Sequence, residues 1–506
     1  MCSPLHRTTL GIKDNLIDPA LKLPSRMFCR SGFYFTKNTS VLSIFAKTSG
    51  AVRLSLAPRR VSPLSRMWSN LNFTKLYSTV PRIALPKPQL TRFYSTGASL
   101  ANAARRSAPV VSSKIIGYWL ISTLGLIFGI VVVGGLTRLT ESGLSITEWK
   151  PVTGAIPPLN EKEWEEEFEK YKDSPEFKQL NSHITMDEFK FIFSMEWGHR
   201  LIGRGIGLFF VLPALYFWAT KKFSPHVTRR VVGLTGLLGL QGAIGWWMVK
   251  SGLDEEDLAE RKSKPTVSQY RLTTHLGAAF LLYLGVLWTA FEILNENRWI
   301  KQLKENPEMV TETLAKLNSP KLNKTRQIGI GLLALTFITA LSGGMVAGLD
   351  AGLIYNTFPH MGDEYVPSYS ELMDPVFSRK EDLSDLWWRN ILENPTTVQL
   401  VHRTFATITF FSVLAAHMFV NKNKNIIPLR AKRSMHTMMG LVTLQATLGI
   451  CTLIYLVPIP LAAAHQAGAL ALLTGCLAFA ANVKRPRAQT VNYISSLMKE
   501  QLLKKH

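Results

Sequence analysis

Four histidines are the residues of this chain best placed to do chemistry. His199, His275, His402 and His465 each fall within a long apolar segment, and the segments that hold them are the second, fourth, sixth and eighth of their kind. Their depths can be compared by counting to the first basic residue at the far, C-terminal end of each apolar segment. The counts are 22 residues to Lys221, 23 to Arg298, 20 to Lys422 and 19 to Lys484. At about 1.5 Å of helical rise per residue, the four lie within roughly 6 Å of one level. An ionisable side chain inside an apolar span is costly and is functional by default. Two imidazoles facing each other across a helix bundle are what a six-coordinate haem iron requires. Small residues nearby (Gly203, Gly205, Gly207, Gly277, Ala278, Ala279, Gly468, Ala469 and Ala471) suggest room for a flat ring. A non-haem metal, a proton relay or simple packing are the competing readings.

One turn before the first histidine of each pair the chain differs. Glu196 precedes His199 and Gln399 precedes His402, both at i, i+3 spacing and so on the same helical face. A carboxylate can move protons or polarise water, whereas an amide only hydrogen-bonds. The difference suggests one reacting site and one electron-transfer site. The structural alternative is Glu196 pairing with Arg200 or Arg204. Arg200 and Arg403 each follow a histidine directly and suit the carboxylates of haem propionates.

Positioning these residues requires membrane-spanning helices. Residues 115–137, 231–249, 272–291, 327–349 and 404–421 carry no charge, and neither does 434–483, which Pro458 and Pro460 divide. Runs of about 18 or more apolar residues read as spans; the alternative is buried helices of a large soluble core. The spans fall at 115–136, 192–219, 231–250, 271–294, 327–348, 398–420, 434–457 and 461–482. Loop charge alternates between them: loop 137–192 has 12 acids and 7 bases, loop 349–397 has 9 acids and 3 bases, and loops 221–230 and 421–433 are purely basic. The positive-inside rule places the basic loops and both termini on the matrix side.

The net charge of +23 does not point to nucleic acid. Residues 1–113 hold 17 Lys and Arg against 2 acids, which is +15 and leaves +8 for the rest. A basic, Ser-rich, acid-poor leader reads as a mitochondrial transit peptide, here over 1–94 with a boundary between 80 and 110. A disordered basic arm that is retained is the alternative. Cys2, Cys29, Cys451 and Cys476 lack metal-ligand spacing and read as inert. His183, His226 and His360 fall in loops and His436 at a span edge, all expected to be solvated; His417 reads as packing or as an interfacial contact.

The chain also repeats itself. Gly134-Gly135 is echoed by Gly343-Gly344, His199-Arg200 by His402-Arg403, His275 by His465, and 238–245 by 442–449. Spans 1–4 (115–294) and 5–8 (327–482) therefore read as two copies of a four-helix unit. An even number of spans per unit gives both copies one orientation, related by an axis along the membrane normal. The expected fold class is an all-α membrane protein of two tandem four-helix bundles, followed by a matrix tail at 483–506.

At these residues the chain resembles the haem A synthase family of mitochondria. The resemblance runs from about Lys114 to Arg487. It rests on GGLTRLTESGLS (134–145), EWGHR (196–200), QYRLTTHLG (269–277), GGMVAGLDAG (343–352), QLVHR (399–403) and AHQAG (464–468). It implies oxidation of a ring methyl of haem O to the formyl group of haem A, for cytochrome c oxidase. Residue by residue it implies that His199 and His275 bracket the substrate haem O and that His402 and His465 ligate a resident haem b. Glu196 matches the family's catalytic Glu. Some bacterial members carry a Cys pair in the first external loop; loop 137–192 has no Cys, so that role does not transfer. Implied partners are a haem O synthase handing over the substrate, a mitochondrial ferredoxin-type electron partner, cytochrome c oxidase assembly factors, the lipid bilayer and further copies of the chain. A bis-His di-haem electron carrier of quinol- or ferric-reductase type and a haem transporter are the competing functions. Two equivalent sites would favour the carrier, and the Glu196/Gln399 difference favours an enzyme.

Overall fold

The computed structural model describes residues 108–503. The leader and its cleavage site, His6, Cys2, Cys29 and His506 lie outside the described residues. Within them the chain is helical, with no strand. In chain order the helices are α1 (Lys114–Leu139), α2 (Glu161–Lys172), α3 (Pro175–Gln179), α4 (Met186–Ala219), α5 (Pro225–Leu253), α6 (Glu255–Arg261), α7 (Gln269–Glu305) and α8 (Pro307–Asn318). They continue with α9 (Asn323–Gly348), α10 (Tyr369–Leu372), α11 (Leu386–Glu393), α12 (Pro395–Lys422), α13 (Leu429–Ile454), α14 (Ile459–Val483) and α15 (Ala488–Leu503). Eight of them, α1, α4, α5, α7, α9, α12, α13 and α14, are long and apolar enough to cross a bilayer. All eight expected spans are present.

The helices start where local chemistry supplies a cap. Thr185 and Glu188 form a reciprocal capping box at α4. Ser224 precedes Pro225 at the first position of α5, and Asn394 precedes Pro395 at that of α12, its side chain accepting from Thr396 N. Several helices run past the apolar stretch, α7 by more than two turns, because flanking polar residues propagate a helix already nucleated in the span.

Packing follows two apolar clusters. One is built from α1, α4, α5 and α7 with Leu470, Leu473 and Leu477 of α14. The other is built from α9, α12, α13 and α14. α7 and α14 are the most buried spans and lie between the two clusters. Polar ties cross the seam: Tyr283 meets Thr474 at 2.9 Å, Gln466 donates to Val131 O at 3.0 Å, and Arg138 pairs with Asp350 at 2.7 Å. Beyond the spans, α8 and α15 pack together through Val310, Leu314 and Ile494.

One expectation is overturned here. His226 is not a solvated loop residue. It lies in the first turn of α5 with its side chain 14% exposed, its Nε2 3.0 Å from Glu292 and its Nδ1 beside Ser224 and Arg487. Glu292 also meets Arg230, Lys484 and Arg487, and Glu296 meets Arg487 and Thr490. Two buried acids on α7 thus gather bases from α5 and from the chain after α14. The gathering spans more than 190 residues of sequence, which local pattern does not report. At the same end His417 Nε2 lies 2.9 Å from His436 Nδ1, so His417 has a polar partner as well as packing.

Candidate functional site

The four histidines sit on α4, α7, α12 and α14, and each ring lies against a glycine of a neighbouring helix. A Cβ built on Gly134 of α1 would stand 2.8 Å from His199 Cε1. The same test puts Gly245 of α5 at 3.0 Å from His275, Gly343 of α9 at 3.0 Å from His402 and Gly449 of α13 at 2.8 Å from His465. These distances leave no room for a side chain without moving the ring. Each imidazole is therefore packed against the backbone at a glycine, where a larger residue would require the ring to move. Of the glycines expected to leave room for a flat ring, Gly205 and Gly207 have open space beside them, whereas Gly277 is met by Leu341 and Gly468 by Gln445.

The histidines are also paired. The rings of His402 and His465 have centroids 6.5 Å apart and planes at 86°. Two ring nitrogens sharing one metal at about 2 Å each would place the centroids about 6 Å apart, so this spacing fits a common axial metal. His275 lies within electrostatic reach of His199. Gln241 donates to the carbonyl of His275 and Gln445 to that of His465, each at 2.9 Å, which fixes both backbones in the same manner.

Ser342 Oγ lies 2.7 Å from Thr339 O and 2.8 Å from His402 Nδ1. With its hydrogen on Thr339 O it accepts from Nδ1–H, the tautomer in which Nε2 keeps its lone pair for a metal. In the first half Val133 precedes Gly134 where Ser342 precedes Gly343, and His199 Nδ1 is buried without a partner. No group of three His, Cys, Asp or Glu able to hold a metal ion exists among the described residues. A metal held by one of these pairs would take its remaining ligands from a non-protein group, as the iron of a haem does. The donors, their spacing and the glycine cradles fit that group.

Glu196 is 3% exposed and fully engaged. Its Oε2 accepts from Ser145 Oγ at 2.7 Å and Ile146 N at 2.8 Å, and its Oε1 accepts from Arg200 at 2.6 Å. Of the two structural pairings weighed from sequence, the one with Arg200 is present. Arg204 instead donates to the carbonyls of Lys150 and Pro151. Gln399 occupies the matching place in α12 and donates to the carbonyls of Ala351 and Tyr355. The carboxylate thus meets donors of its loop and the amide meets acceptors of its loop, a local reason for the Glu/Gln difference. Arg200 also donates to the carbonyls of Ile146 and Glu148, and Arg403 to those of Tyr355 and His360. Both arginines therefore anchor loops, and a propionate would have to displace carbonyls to bind them.

A second buried carboxyl lies in the same loop. Burial, with the charges of Glu196 and Glu141 adding to it, pushes Glu176 up to about 8, although Tyr171 donates to it at 3.0 Å. Neither Glu176 nor Ser342 was singled out from sequence. Ser342 had a signal, being the one polar departure beside the repeated Gly-Gly pair. Glu176 had none, since it sits among many loop acids.

Residues 117–477 match the COX15-CtaA model, described as a cytochrome oxidase assembly protein. The chain is 60% identical over 444 residues to Heme A synthase COX15 of Saccharomyces cerevisiae, covering 85% of this chain and 90% of that one. It is 42% identical over 388 residues to the human Heme A synthase COX15, covering 76% and 87%. It is 53% identical over 372 residues to a Heme A synthase-mitochondrial ferredoxin fusion protein of Schizosaccharomyces pombe, covering 73% of this chain and 60% of that one. With the match running through six complete spans and most of the first and the eighth, this chain belongs to the COX15-CtaA family of cytochrome oxidase assembly proteins.

Proposed function

We infer that this chain is an oxidoreductase that converts a ring methyl of haem O to the formyl group of haem A. The observation that carries the reading is the set of four glycine-cradled histidines in a chain 60% identical to a heme A synthase. The test is direct: purified protein given haem O and an electron partner should yield haem A by mass. Only haem b, with no conversion, would favour the di-haem carrier.

Within that function, His199 and His275 are assigned to the substrate haem O, and His402 and His465 to a resident haem b. The Ser342 bond supports the second assignment, because a fixed Nδ1–H makes His402 a better Nε2 donor. His199 Nδ1 in one pair and His465 Nδ1 in the other are both buried without a partner, so the Ser342 bond alone distinguishes the pairs. A bound haem b supplies one-electron transfer. The chain's own part is to hold both ring planes by its glycines, to cover the site with loop 137–192, and to place Glu196 one turn from the substrate ligand. Each oxidation of the methyl carbon releases protons, and a carboxylate within hydrogen-bond reach or one water can accept them. Arg200 and Arg403 remain the candidates for the propionates, by exchange of their carbonyl partners. The ferredoxin-type partner is supported by the fused relative. Haem O synthase and the oxidase assembly factors follow from the family, as does self-association.

The glycine cradles give a prediction. Gly449→Ala should push His465 by several tenths of an ångström and lower haem b retention, with the helices still inserted. Haem content per chain, read from the pyridine-adduct spectrum, checks it; normal retention would show that the ring can yield.

We assign 1–94 to a mitochondrial transit peptide and the remainder to the inner membrane, as two four-helix halves with both termini in the matrix. The alternating loop charges support this. Protease added to mitoplasts should cut loops 137–192 and 349–397, which would face the intermembrane space. Cleavage within 221–230 instead would invert the orientation.

A further inference from the structure

Between α5, α7, α9 and α14 lies a cavity of about 1050 Å³, apolar along most of its length and basic at one end. Leu234 and Leu237 of α5, Leu281 and Leu284 of α7 and Leu333 of α9 line it. At the end away from the histidines it is closed by Arg230, Arg326, Lys484 and Arg485. Among the described residues the one carboxylate meeting any of these four is Glu292, which Arg230 and Lys484 share with Arg487 and His226. Arg326 donates only to the carbonyls of Leu317, Ser319 and Val483 and to Asn323, and Arg485 donates to Asn323. The rim is therefore left with uncompensated positive charge.

We propose that this cavity is a binding site for an anionic phospholipid, its phosphates on the Arg326–Arg485 rim and its acyl chains between α5, α7 and α9. It is an open groove rather than an enclosed void: Leu281 and Ile330 of its lining are exposed, so its apolar length is accessible from the surface of the helix bundle. Acyl chains meet the leucines, and basic pockets between transmembrane helices bind phosphate headgroups. A lipid with two phosphates matches the clustered cations best. The prenyl tail of the substrate is the other apolar candidate: Leu281 lies only six residues along α7 from His275, about 9 Å of rise. A neutral tail leaves the basic rim unused, so the phospholipid is favoured. This inference stands apart from the haem assignments.

The experiment uses the full chain purified in mild detergent. Phosphorus analysis and native mass spectrometry should find about one diphosphatidylglycerol retained per chain. After delipidation, adding that lipid should raise the thermal midpoint, whereas phosphatidylcholine and free pyrophosphate should not. Arg485→Gln should weaken the response about fivefold, the value of one interfacial charge. Leu237→Trp, which narrows the space for an acyl chain and keeps every charge, should lower retention with the haem spectrum unchanged. Equal responses to phosphatidylcholine would overturn the proposal, as would a full response to pyrophosphate alone. Displacement of the lipid by haem O would reassign the cavity to the substrate's tail.

Discussion

Replacing His402 or His465 by alanine is expected to strip the purified protein of haem b. The two rings face each other at 6.5 Å, and His402 is the histidine whose Nδ1 meets Ser342 Oγ. Losing a hydrogen-bonded partner of a ligand alone typically costs about 10–100-fold in affinity. Losing the ligand itself costs more, so haem b should fall below roughly a tenth of the wild-type content. Ser342→Ala separates the two levels. It leaves both ligands in place, so haem b should still be visible, with weaker retention and a shifted midpoint potential. His199→Ala should leave haem b bound and abolish conversion of haem O. Full haem b content after changing both His402 and His465 would move the resident group to the other pair.

Glu196→Gln is the second change with a large expected effect. General acid–base catalysis contributes about 10²–10⁴ in rate, so haem A output should drop at least about 100-fold, with haem O or a hydroxylated product accumulating. The structure adds a second consequence. The amide oxygen can still accept from Ser145 and Ile146 N, but its NH₂ then faces the Arg200 donor. Hydrogen bonds to charged groups are worth about 1.5–3 kcal/mol, so loop 137–192 should loosen measurably. The two effects are separable. Loss of product with a loop as protease-resistant as wild type identifies a proton-handling carboxylate. A protease-sensitive loop with normal haem A yield identifies an anchor only. Gln399→Glu is the control: it sets a carboxylate against the carbonyls of Ala351 and Tyr355 and should loosen loop 349–397 while product still forms.

The legible part of this protein was what local pattern encodes. Hydropathy marks each span because every turn of a membrane helix must be apolar, whatever its neighbours. The common level of His199, His275, His402 and His465 follows from counting at fixed rise per residue. The repeat, the alternating loop charge and the Glu196/Gln399 difference are equally linear. Helix pairing is not. Which glycine meets which imidazole depends on the rotation and depth of two helices packed together, so Gly134, Gly245, Gly343 and Gly449 carried no visible task until α1, α5, α9 and α13 were in place. The same holds for Ser342, which is 60 residues from the ring it contacts, and for His226, which reads as a loop residue and is half-buried against Glu292. Glu196 shows the division within one side chain. Its spacing from His199 was set by the helix, while its partners Ser145 and Ile146 arrive from about 50 residues away, where only the folded loop brings donors to a buried carboxylate.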